Sequence, residues 1–273
     1  MTTVACIQMA SGPQVGANLL EAERLIVLAV EKGARLVVLP ENFAIMGKTE
    51  QDKFAIREVE GEGPIQEFLA QQARRHGIWL VGGTVPLHAE SENKIRAACL
   101  LYNDQGQQVA RYDKIHLFDV SVVDSDERYT ESETIEGGDQ AVVVDTPFGR
   151  LGLAVCYDLR FPELFRTMVD QGVEIVALPS AFTAITGRAH WEILVRARAI
   201  ENLSYVLAAA QGGYHLNGRE TYGHSMIVDP WGQVMNELAT GSGLVCAELD
   251  LQRLRNVRRT FPCLDHRNIL CRV

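Results

Sequence analysis

From its first residues to about position 250 the chain alternates short apolar runs with amphipathic stretches, and that rhythm restricts it to folds in which helices cover a sheet. The runs 3–9 (TVACIQM), 35–39 (RLVVL), 78–81, 150–155, 174–178 and 205–209 have the length and composition of buried strands. Between them, 18–32 places Leu19, Leu20, Ala22, Leu25, Ile26, Leu28 and Ala29 at helical spacing and then meets Gly33, a natural stop. Segments 65–75, 162–171 and 189–202 repeat the helical pattern. The strands 95–102 and 107–112 flank Asn103-Asp104-Gln105-Gly106, which reads as a hairpin turn. Further strands are expected at 141–144, 222–228 and 244–249, with a turn at Asp229-Pro230-Trp231-Gly232. Segment 119–140 is a long polar loop rich in acids, and loops of that length in compact domains are functional or mobile. The pattern predicts one α/β domain over 1–273 with a mixed sheet, helices outside, and an irregular tail from about 253.

Composition narrows the function. Of 273 residues 47% are hydrophobic, enough for a large core, and the net charge of -9 is the wrong sign for a nucleic-acid binder. The arginines at 253, 255, 258 and 259 suit a solvated or interface face of a short helix better than a phosphate site. The N-terminal run MTTVACIQMA lacks the basic and apolar regions of a signal peptide, and no apolar stretch reaches the ~18 residues of a membrane span. The six cysteines, Cys6, Cys99, Cys156, Cys246, Cys263 and Cys271, form no CxxC pair, and the seven histidines show no paired ligand spacing. Cys6, Cys99 and Cys246 lie in apolar runs as small hydrophobes. These features predict a reduced, cytoplasmic protein with no metal, no cofactor and no membrane or nucleic-acid partner.

Three residues stand where chemistry is placed in such folds. Cys156 follows the run 151–155 and precedes Pro162, a residue suited to the first turn of a helix, so it lies at a strand-to-helix junction. There a helix dipole and a nearby cation favour thiolate, and the N–H of Tyr157 can donate to an oxyanion. Glu41 follows strand 35–39 and Pro40, at the strand end where α/β sheets place their crevice. Lys114 follows strand 107–112. Taken singly, Cys156 is equally well a buried core thiol, while Glu41 reads as an ordinary loop acid and Lys114 as a surface charge.

Together, PENF (40–43), YDKIHLF (112–118) and GLAVCYDLRFPEL (152–164) resemble, in order and spacing, the three catalytic motifs of the nitrilase superfamily of carbon–nitrogen hydrolases. The resemblance implies a four-layer α-β-β-α sandwich and a Glu-Lys-Cys triad. Glu41 would be the general base, Cys156 the nucleophile, and Lys114 the oxyanion stabiliser and proton donor. It also implies a second glutamate, placed at Glu131, a substrate wall that includes Phe182 and Thr186, a homodimer or higher homo-oligomer, and a small-molecule amide as partner. Segments 179–192, 196–201, 208–213 and 222–232 resemble the Nit-type branch, which implies a 2-oxoglutaryl group on Cys156 and leaves ammonia or the dipeptide Cys-Gly as leaving group. The keto-acid carboxylate then needs a guanidinium; Arg160 is placed there, with a salt bridge to Glu163 as the equal alternative. His116, His190 and Trp191 read as packing or supporting residues, and His224 as a support of the pocket. The triad alone does not separate amides from nitriles, and a non-catalytic protein on the same fold would be expected to have lost a triad residue.

Overall fold

The computed structural model describes residues 1–122 and 128–269. Two sheets are laid down one after the other. β1 (Thr2–Gln8), α1 (Val15–Glu31), β2 (Leu36–Val38), α2 (Pro64–His76) and β3 (Trp79–Val81) form two crossovers with all three strands parallel. β4 (Val85–His88) and the hairpin of β5 (Ile95–Tyr102) with β6 (Gln108–Asp113) extend this sheet antiparallel. A ribbon of β7 (Asp119–Ser121) and β8 (Arg128–Thr130) follows.

The second sheet starts with the antiparallel pair β9 (Val142–Thr146) and β10 (Gly149–Leu153). It continues through α3 (Pro162–Asp170), β11 (Ile175–Ser180), α4 (Ala184–Asn202) and β12 (Tyr205–Ala210), with β10, β11 and β12 parallel. A second ribbon, β13 (Gly212–Tyr214) with β14 (Glu220–Tyr222), precedes β15 (Ser225–Val228) and β16 (Val234–Leu238). β17 (Gly243–Leu249) returns to pair antiparallel with β1, Thr2 opposite Leu249 and Gln8 opposite Gly243. The strand orders are β17-β1-β2-β3-β5-β4, with β6 on β5, and β16-β15-β12-β11-β10-β9. α5 (Leu251–Thr260) closes the described chain.

The period of two along each strand sorts side chains between layers. On β1, Val4 and Cys6 join a core with Leu151, Leu153, Val176 and Leu207 of the second sheet. Ala5 and Ile7 point the other way, to Ala22, Leu25 and Ile26 of α1 and Leu69 and Ala73 of α2. Phe165 and Met168 of α3 and Trp191, Val195 and Ala199 of α4 cover the second sheet. The stack is therefore helix, sheet, sheet, helix, the four-layer α-β-β-α arrangement. Each fully buried aliphatic side chain contributes roughly 1.5–3 kcal/mol of transfer free energy to it.

Some expectations are corrected. α4 begins at Ala184, not 189, capped by the Thr183 hydroxyl, which accepts the Thr186 N–H. Gly187, whose low propensity hid that first turn, is where the helix meets Tyr222: a Cβ there would lie 2.3 Å from the Tyr222 Cβ. The run 222–228 is broken by His224 at φ 54°, so only Ser225–Val228 belongs to the large sheet. The tail expected to be irregular from about 253 opens with α5, because Asp250 caps it through the Arg253 N–H and Leu254 is fully buried. Segment 119–140 carries β7, β8 and a 3-10 turn at Glu131–Glu133. Residues 123–127 of that segment, and Cys271, lie outside the described residues.

Candidate active site

Glu41, Lys114 and Cys156 each follow a strand, at the ends of β2, β6 and β10. β2 and β10 belong to different sheets, so facing the sheets brings the two loops together. Pro40 and Glu41 turn away from β2 over Gly83, which is held at φ 56° and where a Cβ would sit 2.1 Å from the Pro40 oxygen. The Gln211 side chain donates to the Glu41 carbonyl at 3.0 Å, and the Asn42 N–H donates to the Thr84 hydroxyl at 2.8 Å. Cys156 opens a 3-10 turn, Cys156–Arg160, with a left-handed φ of 49°. As at any helical start, the first N–H groups of that turn, Tyr157's included, have no acceptor within it.

Lys114 Nζ donates to Glu41 Oε1 at 2.8 Å and to both Glu131 carboxylate oxygens at 2.8 Å. Its side chain is 2% exposed, and that of Glu41 5%. Glu131 is steadied by the Phe118 N–H, which donates to Oε2 at 2.7 Å. Cys156 lines the same cavity as Glu41, near enough that the carboxylate charge raises the thiol and the Lys114 charge lowers it. One ammonium is thus shared by two carboxylates, one of which also faces a thiol.

The charges follow from that geometry. Burial pushes the Glu41 carboxyl up, but the Lys114 charge and its hydrogen bond outweigh burial and hold it below the ordinary 4.5. Burial disfavours the Lys114 cation, yet Glu131 and Glu41 together raise it well above 10.5. Burial and then the Glu41 charge push the Cys156 thiol well above 9.0, and Lys114 pulls it back only in part. This reverses the expectation of a thiolate at Cys156. The proton rests on sulfur, and the carboxylate is ionised, because the lysine already neutralises the site through the glutamates.

A second set of bonds ties the lysine loop to the cysteine turn. Fully buried Asp158 accepts from Tyr112 Oη at 2.7 Å, the Val155 N–H at 2.8 Å and the His116 N–H at 3.1 Å, and pairs with His116 Nδ1 at 2.7 Å. His116 stacks on Phe161, its ring centroid 3.7 Å away, in the supporting role expected of it. Sequence reading passed over Asp158, although an acid two residues into a turn, reaching back to the N–H before it, is a capping signal.

All eight residues singled out from the sequence, Glu41, Lys114, Glu131, Cys156, Tyr157, Arg160, Phe182 and Thr186, line one cavity of about 220 Å³. Arg160 does not pair with Glu163. Its guanidinium lies over the Tyr157 and Phe182 rings, 5.8 and 5.3 Å from their centroids, with Nη1 3.2 Å from His190 Nδ1. Trp191 Nε1 donates to the His224 carbonyl at 2.8 Å, behind Phe182. Lys53, paired with Glu50 at 2.6 Å, and Arg219 also face the cavity. Both had been passed over, lying in polar stretches that carry no periodicity.

A buried thiol beside a carboxylate that shares an ammonium with a second acid, between two facing sheets, defines a class of cysteine-dependent hydrolase. Residues 3–259 match the family described as carbon-nitrogen hydrolase, and the chain belongs to that family. A protein of Yersinia enterocolitica named deaminated glutathione amidase is 42% identical over 264 residues, 96% of this chain and 92% of that one. The Homo sapiens protein of the same name is 42% identical over 267 residues, 97% of this chain and 81% of that one. The structure of Saccharomyces cerevisiae Nit3, a member of branch 10 of the nitrilase superfamily, superposes with a TM-score of 0.88 at 32% identity, covering 98% of this chain and 97% of that one. The protein is an amide-hydrolysing enzyme that works through a cysteine.

Proposed function

We propose that the protein hydrolyses deaminated glutathione to 2-oxoglutarate and Cys-Gly, through a thioester on Cys156. The observation that carries this reading is the Lys114 ammonium held between Glu41 and Glu131 beside a protonated thiol, in one cavity. The proteins similar to this chain that bear the name of that activity supply the substrate.

The resting charges suit the reaction. Glu41, already ionised, takes the Cys156 proton as sulfur attacks the amide carbon. The oxygen, now negative, is met by Lys114 Nζ and the Tyr157 N–H; one such donor is typically worth about 2.7–4 kcal/mol of barrier. Glu41 passes its proton to the nitrogen, the C–N bond breaks, and Cys-Gly departs with a neutral amine. Water then gives a proton to Glu41 and its hydroxide attacks the thioester. The same oxyanion site serves again, and sulfur leaves and recovers its proton. Glu131 orients Lys114 and faces the departing nitrogen. Arg160 takes the keto-acid carboxylate, over a wall that includes Phe182 and Thr186.

Removal of a side product of metabolism in a cytoplasmic setting is consistent with this chemistry. Assembly into a dimer or larger homo-oligomer is supported by exposed Ile193 and Ile200 on α4 with Trp231 and Phe261 nearby in the fold, 70%, 47%, 58% and 51% exposed. The same acyl group is present in 2-oxoglutaramate, which releases ammonia. Turnover of both compounds by the purified protein, with Cys156→Ala as control, tests the reading. Faster release of 2-oxoglutarate from deaminated glutathione, abolished in the variant, supports it. Turnover of 2-oxoglutaramate alone would make the enzyme an ω-amidase instead.

A further inference from the structure

The proposed substrate carries two carboxylates, one on the keto-acid end and one on the glycine of the leaving group. With Arg160 assigned to the first, the second needs its own partner, and the cavity holds a cation with no assigned task. Arg219 lies on the turn between β13 and β14 and lines the cavity. Its Nη2 donates to the Ala181 carbonyl at 2.5 Å, and its guanidinium lies 5.1 Å from the centroid of the Tyr129 ring. Its Nε is shielded from solvent and has no hydrogen-bond partner among the described residues. Among those residues it also makes no ion pair within 4.0 Å, although neighbouring Glu220 does so with Arg188 at 3.8 Å. The nearby acid, Glu50, is taken by Lys53 at 2.6 Å. A planar cation with an unused donor shielded from solvent costs free energy unless a partner completes it.

The turn that bears Arg219 is built to hold it still. His215, buried, pairs through Nδ1 with the Ser11 carbonyl at 2.8 Å and through Nε2 with Thr221 Oγ1 at 2.7 Å. The Asn217 amide donates to the Gly47 carbonyl at 2.8 Å, and its oxygen accepts the Arg219 N–H at 3.0 Å. The same turn exposes Tyr214 and Leu216, while Arg219 itself is half-buried and lines the cavity. It lies over Tyr129, two residues from Glu131, the acid that shares the Lys114 ammonium. Arg160 is carried by the cysteine turn and lies over Tyr157 and Phe182, so the two guanidiniums reach the cavity from different elements.

Resting on the substrate reading above, we propose that Arg219 binds the carboxylate of the leaving group and thereby selects an amide of a carboxylated amine over a primary amide. The two candidate substrates separate this role from any other, because they share the acyl group and only one has a leaving-group carboxylate. In Arg219→Gln, kcat/KM on deaminated glutathione is expected to fall on the order of 30- to 100-fold, chiefly through KM, with less than about a threefold change on 2-oxoglutaramate. The rate of Cys156 alkylation by iodoacetamide reports whether the cavity is intact. If it is not, Arg219→Lys, which keeps a cation, replaces it, with the same split expected at about tenfold. Equal losses on both substrates, or no loss on deaminated glutathione in a protein whose wild type prefers it, would overturn the role of Arg219 alone. A wild type that prefers 2-oxoglutaramate would overturn the substrate reading and this inference with it.

Discussion

At the scale of single residues, the site is governed by one lysine shared between two acids. Breaking a buried pair leaves an uncompensated charge, and that costs more than the pair itself contributes. Lys114→Met would leave Glu41 and Glu131 facing each other with no cation between them. Two adjacent carboxylates cannot both ionise cheaply, so one pKa must rise. The variant is expected to lose at least about a thousandfold in kcat, since the oxyanion donor and the charge on Glu41 go together. Its folded state would also bind more protons than the unfolded chain, so it should become more stable as pH falls from 7 to 5, a range over which the same groups leave wild type level. Urea unfolding at the two pH values checks this; a variant that weakens toward pH 5 would show that Glu41 and Glu131 do not interact as described.

At the scale of elements, the site depends on keeping the loop after β6 and the turn after β10 in register. Asp158 does this with bonds to Tyr112, His116 and Val155, all within one buried cluster. Asp158→Ala strands the Tyr112 hydroxyl and two N–H groups and is expected to cost about 3–5 kcal/mol. It should also lower kcat more than it raises KM, because Asp158 touches neither the substrate-facing side of Lys114 nor the sulfur but sets the spacing between their loops. Chemical denaturation with steady-state kinetics on the same preparation reads both; a loss of stability with kcat unchanged would mean that the two loops hold their places without it. The first turn of α4 shows why local pattern misleads at this scale. Gly187 reads as a helix breaker, yet the helix runs through it because a larger residue would collide with Tyr222.

At the scale of the whole molecule, the buried charges tie folding to pH. Glu41 is held below its ordinary 4.5, so its contribution is complete above that value and is lost as pH falls through the depressed one. Glu50, drawn down to about 2 chiefly by the Lys53 charge, acts in the same direction. Lys114 is raised above 10.5, so its contribution is complete below that value and is lost only as pH rises through the higher one. Stability from these groups is therefore expected to be level across neutral pH and to decline below about 4.5. The midpoint of urea unfolding, followed from pH 8 to pH 3, should show that plateau and acid limb; a steady rise toward pH 3 would contradict it. Turnover should lack the thiolate titration near neutrality of a cysteine–histidine pair, because here the proton stays on sulfur until attack.

Much of this was legible in the chain. Periodicity located the buried strands and four of the helices, because burial on one or both faces dictates which residue types recur and at what spacing. The three proposed triad residues were legible through motifs whose order and spacing resemble those of a known family, since a place after a strand left each of them ambiguous. What the sequence could not decide are the terms that depend on distance. Val4 and Ala5 are both apolar, and only the packing of two sheets sends one to the sheet core and the other to the helices. The protonation of Cys156 and Glu41 is set by burial and by how near the two groups lie to each other and to Lys114, which overturned the thiolate expected from a helix dipole and a cation alone. Asp158 and Arg219 sit in polar turns without periodicity, where type and spacing say little. Their partners lie far away along the chain, and only the folded molecule brings them within hydrogen-bonding reach.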